Sequence, residues 1–146
     1  MSVFRLSRRL FGIFNDTNDV IFSGYFKFIA VIIEMRDNTS ISLEIARQMA
    51  LALPGAVEMP HFDHPSFRAN GKIFATLWEK ENRMMVKLPL IEQSVFHSFD
   101  PAVFYPVPNK WGLKGATFVE LAKVRRDMLE DALRVAWENV QKKNIV

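Results

Sequence analysis

The densest grouping of chemically competent side chains in this chain is His61-Phe62-Asp63-His64, with Ser66 two residues on. Imidazole and carboxylate are zinc ligands, so the cluster raises a metal site first. In an extended segment neighbouring side chains point to opposite sides. His61 and Asp63 are then expected together, with His64 facing away. The one other histidine is His97, so nothing supplies the missing ligands. We expect no metal, and read Asp63 and His64 as fixing a turn before Pro65 through side-chain to backbone hydrogen bonds. Ser66 lies near two histidines, but no nucleophile elbow surrounds it. Glu79, Glu81, Glu92 and Asp100 read as turn or surface carboxylates. No catalytic residue is assigned, and the expectation is a protein that is not an enzyme.

The 146 residues contain no cysteine. That excludes disulfides, thiolate metal sites and a cysteine nucleophile, and fits a reducing, cytoplasmic setting. Gly112-x-x-Gly115 is too short to be a phosphate loop. Pro108, Trp111 and the two glycines are expected to form a tight turn that packs the indole. Lys110 and Lys114 would stand at its tip as cations for phosphate.

Length fits one domain. Hydrophobic residues make up 49% and charged residues 24%, with a net charge of +3; this basic bias allows an anionic partner without demanding one. Ser40 reads as an N-cap with Glu44 in the first turn. Ile41, Ile45, Met49 and Leu53 then follow at helical spacing up to Pro54-Gly55. Asn70-Gly71 is a strong type I′ hairpin signal joining strands Ser66–Ala69 and Lys72–Trp78. Glu79–Asn82 turns the chain into Arg83–Leu88. Pairing Ala69 with Lys72 and Trp78 with Arg83 assigns the faces by the period of two. Ile73, Ala75, Leu77, Met84, Val86 and Leu88 share an apolar face expected under helices. Phe67, Lys72, Phe74, Thr76, Trp78, Arg83, Met85 and Lys87 share a mixed face. Arg68 stands at its end.

Further along, Ile91–Phe99 reads as a short helix with Ile91, Val95 and Phe99 on one side. Val103–Val107 reads as a proline-broken loop or edge strand, and Thr117–Leu121 as a last strand. Leu129, Leu133, Ala136 and Val140 mark a C-terminal helix, with Glu130–Arg134 and Glu138–Lys142 as i,i+4 pairs. The fold class is therefore α+β: an antiparallel sheet of about five strands with flanking N- and C-terminal helices. Residues 1–34 differ in kind. They hold six of the chain's 13 Phe, with no helical stripe and no clean alternation. An appended element, a targeting or membrane-surface segment, and an extension upstream of a start at Met35 all remain open. The domain itself is expected over residues 35–146.

His61-Phe62-Asp63-His64-Pro65-Ser66-Phe67-Arg68 and Gly71-Lys72-Ile73-Phe74-Ala75-Thr76-Leu77 together resemble the MmcQ/YjbR-like proteins. So do Pro106-Val107-Pro108-Asn109-Lys110-Trp111-Gly112-Leu113-Lys114-Gly115-Ala116-Thr117 and the Leu53-Pro54-Gly55 helix end. The resemblance covers about residues 36–142 and implies a compact α+β fold with a double-wing, DNA-binding function. On the residues, the mixed face is the place for it. Arg68, Lys72, Arg83 and Lys87 would meet phosphates, joined by Lys110 and Lys114, while Phe74 and Trp78 would stack on bases. The expected partner is DNA, held mainly by its backbone, with no cofactor and no membrane. The alternative is a protein-interaction or small-ligand domain that self-associates through the sheet face.

Overall fold

The computed structural model describes residues 40–142, together with Lys27 and Ile29. The chain divides between residues 39 and 40 into two units. Of the first, Lys27 and Ile29 are helical and exposed; the extension read over residues 1–34 otherwise lies outside the described residues.

The second unit is a six-stranded antiparallel sheet with helices. Helix α1 (Leu43–Leu51) leads into strands β1 (Val57–His61), β2 (His64–Ala69), β3 (Lys72–Trp78) and β4 (Arg83–Lys87). Helix α2 (Leu90–Phe99), strand β5 (Phe104–Pro106), a 3-10 turn (Gly112–Lys114), strand β6 (Ala116–Glu120) and helix α3 (Arg126–Gln141) follow. The strand order is β1-β2-β3-β4-β6-β5.

The N-cap of α1 is Ser42, not Ser40: its Oγ accepts from the Ile45 amide at 3.1 Å. Ala46 and Ala50 are the fully buried residues of that helix, with Ile45, Met49 and Leu53 packed at the margin. Asn70 and Gly71 have φ of 53° and 72°, as a type I′ turn requires. Ala69 pairs with Lys72 and Trp78 with Arg83. Strand β1, not expected from the sequence, is an edge strand carrying Pro60, where a missing backbone donor does no harm. Its Val57 and Met59 are exposed, so no buried alternation marked it.

One irregularity rearranges the faces. Arg68 pairs with Ile73, but Phe67 pairs with Ala75, leaving Phe74 as the extra residue of a β-bulge. Beyond the bulge the alternation inverts. Phe67 and Phe74 therefore lie in the core, both fully buried, rather than on the mixed face. Lys72, paired with core-facing Ala69, leaves the mixed face too, and Ile73 joins it opposite Arg68. Counting in twos cannot register an inserted residue, and this is why the expected faces fail at one end of β3.

The core lies between the sheet and the helices. Leu129, Leu133, Ala136 and Val140 of α3 are buried in it with Leu77, Met84, Val86 and Val119. From α2 come Phe96, which meets the Phe104 ring, and Gln93. The surface pairs on α3 also differ from expectation. Arg134 reaches Asp131 at 3.1 Å and Glu138 at 3.2 Å, while Glu130 takes Arg126 at 3.5 Å. Exposed pairs of this kind contribute little to stability.

Candidate nucleic-acid interface

The register places His64, Ser66, Arg68, Ile73, Thr76, Trp78, Arg83, Met85, Lys87 and Phe118 on the face opposite the core. Among the described residues no helix packs there. This face is divided along the strands into two chemically different ends.

At one end the strands close through the β1–β2 and β3–β4 turns. His61 and His64 are direct cross-strand partners, so the hairpin brings together two imidazoles that an extended reading separates. The His64 ring stacks on Trp78 with centroids 4.2 Å apart. Phe62 caps the turn at φ 53° and is 89% exposed. Ser66 is buried, and its hydroxyl donates to the Met59 carbonyl at 2.7 Å. It is thereby committed to structure. Among the described residues no group of three or more His, Cys, Asp or Glu is placed to hold a metal ion.

Arg83 also stands at this end, held among aromatic rings. Its guanidinium lies 3.8 Å from the Phe118 ring centroid and 5.3 Å from that of Trp78. Its Nη1 donates to the Tyr105 hydroxyl at 3.3 Å, and Tyr105 in turn donates to Glu120. Burial pushes the Tyr105 phenol above its ordinary value of 10.0; the Glu120 bond adds to the rise and Arg83 opposes it. The phenol is therefore neutral at physiological pH. This relay was not legible in the sequence. Tyr105 and Glu120 meet Arg83 through the β5–β6 and β4–β6 registers. Asp63, Glu79, Lys80 and Glu81 occupy the turns at the same end, where Glu79 pairs with Arg47 at 3.2 Å.

The opposite end is basic. Arg68 and Lys87 stand there on this face, Lys87 opposite Ala116, while Lys72 stands at the same end of β3 on the helix side of the sheet. Lys110 precedes and Lys114 ends the 3-10 turn before β6. None of these five forms an ion pair with a described residue. Glu58, the one carboxylate of β1, is taken by Arg47 at 3.3 Å. Of the residues expected to bind nucleic acid, the structure gathers Arg68, Lys72, Lys87, Lys110 and Lys114. It sets Trp78 and Arg83 apart at the other end, and removes Phe74 to the core.

The loop carrying Lys110 and Lys114 is held rigidly. Buried Gln93 donates from Nε2 to the Gly112 carbonyl at 3.0 Å, the Ala116 carbonyl at 3.2 Å and Thr117 Oγ1 at 3.1 Å. The Trp111 amide donates to Asn109 Oδ1 at 2.8 Å. The glycines do form a tight turn, yet the indole is not packed away: Trp111 is 52% exposed and Leu113 80%. Both ammonium groups stand over the Trp111 ring, each 5.6 Å from its centroid. A tryptophan between two lysines was visible in the sequence, but its display to solvent was not.

Among curated proteins none matches the chain. The fold is similar to the crystal structure of Deinococcus radiodurans protein DR2400, a DUF419 domain. The TM-score is 0.62 at 20% identity, over 73% of this chain and 83% of that one. The YjbR family matches residues 51–139, which span β1 to β6 and most of α3. On that match the chain belongs to the YjbR family.

Proposed function

We propose that the protein binds DNA without catalysis, through phosphate contacts made by the basic end of the sheet. The observation that carries this reading is the gathering of Arg68, Lys72, Lys87, Lys110 and Lys114 at one end, with no described carboxylate paired to them. Cations grouped in this way neutralise phosphates and release counterions, which makes affinity fall with salt. Among the described residues no helix is presented to enter a groove, so contacts to the backbone dominate over base reading.

Replacing Lys87, Lys110 and Lys114 together by Ala is expected to weaken binding to a labelled duplex. The slope of log affinity against log salt should become shallower by about 2 to 3, at roughly 0.9 for each phosphate no longer neutralised. Arg134→Ala, which removes a cation on α3 paired with Asp131 and Glu138, should leave the slope unchanged. Fluorescence anisotropy across a salt series measures both. An unchanged slope in the triple variant would remove the basic end from the binding surface.

A second reading rests on α2. Ile91, Val95 and Phe99 do share one side of that helix, and that side faces solvent at 77%, 58% and 65% exposure. Gln93 and Phe96 form the buried side instead. Such a stripe favours a protein partner or a second copy, docking through α2 rather than the sheet face. Sedimentation of the wild type and Ile91→Glu/Phe99→Glu across concentration tests it, with a mass above the monomer expected only for the wild type.

A further inference from the structure

We infer that Trp111 is a stacking platform for an unpaired nucleobase, so that the favoured ligand is single-stranded or locally opened DNA rather than intact duplex. The inference rests on the nucleic-acid reading above and identifies which form of the ligand the basic end accepts.

Three features converge on it. The first is rigidity. A Cβ on Gly112 would lie 1.9 Å from the Val107 carbonyl oxygen, and one on Gly115 1.9 Å from that of Leu88. The loop backbone is thus pressed against both neighbours, and Gln93 holds it from beneath through the Gly112 carbonyl and through Ala116 and Thr117 where β6 begins. A flexible loop could fold its indole inward and bury apolar surface. This one holds Trp111 and Leu113 outward.

The second feature is the pairing of ring and charge. Lys110 and Lys114 lie one and three residues from Trp111, with Nζ atoms 5.6 Å from the ring centroid. A base laid on the indole would carry its own phosphates past these two ammonium groups. Aromatic stacking combined with lysine contacts to the backbone is how single strands are held without sequence reading. The third feature is placement. The tip adjoins the end of the sheet where Lys87 pairs with Ala116, and Lys87 and Arg68 on the open face there can continue along the strand. In an intact duplex the base faces are already stacked, and an indole on a rigid loop gains contact only by opening them, at a cost of a few kcal/mol per step. An unpaired base presents its face without that penalty.

Trp flanked by Lys also suits a bilayer interface, and vesicles therefore form one arm of the test. The full chain is titrated against fluorescein-labelled oligothymidylate, against its duplex with oligoadenylate, and against phosphatidylserine vesicles. We expect tighter binding to the single strand than to the duplex. Trp111→Ala should weaken single-strand binding about tenfold or more, leaving duplex affinity and the thermal midpoint close to wild type. Trp111→Phe should restore most of the loss. Lys110→Ala/Lys114→Ala should weaken both nucleic-acid ligands.

Equal or tighter binding to the duplex, or no change in Trp111→Ala, would overturn the stacking role. If the lysine variant still lost affinity in that case, the phosphate-binding reading would stand without it. Absence of binding to either nucleic acid at low salt would overturn both, and retention on vesicles alone would assign the tip to lipid.

Discussion

Gly115→Ala is expected to destabilise the fold by about 2–6 kcal/mol, a large fraction of the ~5–15 kcal/mol that holds a domain folded. Two separate costs add. Gly115 has φ 104°, where an L side chain is strained by about 1–3 kcal/mol. The new methyl would also meet the Leu88 carbonyl oxygen at 1.9 Å. That oxygen belongs to backbone and cannot swing aside as a side chain could, so overpacking adds a comparable ~1–3 kcal/mol. The same contact carries the Leu88 N–H to Gly115 carbonyl hydrogen bond of 3.0 Å, which ties the end of β4 to the start of β6. Gly55→Ala is the matched control: φ is 71°, yet a Cβ there meets nothing within 4 Å. It should cost about 1 kcal/mol, from the backbone conformation alone. Urea unfolding of the two variants measures the difference. Equal losses would mean that the Leu88 contact yields more easily than its geometry implies.

Phe74→Ala should destabilise by about 3–5 kcal/mol, the range for deleting a buried aromatic ring. Simple alternation along β3 expects far less, because it puts Phe74 on an exposed face. The bulge between Phe67 and Arg68 turns the ring into the core, where its exposure is 0%. Ile73→Ala reports on the same inversion from the other side. Ile73 is only partly buried and lies opposite Arg68, outside the core cluster, so its loss should be the smaller of the two. Denaturant midpoints of the two variants decide the register. A larger loss for Ile73→Ala would reinstate unbroken alternation.

On the DNA-binding proposal, the lysines at the Lys110–Lys114 end of the sheet, which form no ion pair with a described residue, draw a polyanion toward that loop before any close contact forms.

Local signals in the sequence determined the elements. The Asn70-Gly71 turn follows from a backbone conformation few other pairs adopt, and the Leu129–Val140 stripe from helical periodicity over many residues. Each is a short-range property, and each stands in the structure as read. The tight turn at Gly112 and Gly115 was legible for the same reason. Four features were decided only by tertiary structure: the inserted residue in β3, the edge strand β1, the outward side of α2 and the partner of Arg83. Each depends on which strand or helix lies alongside, and spacing within one segment carries no record of its neighbours. The apolar stripe of α2 shows this most directly. Periodicity placed Ile91, Val95 and Phe99 on one side, but Gln93 turned the helix the other way, because its amide found acceptors in Gly112 of the 3-10 turn and in Ala116 and Thr117 of β6.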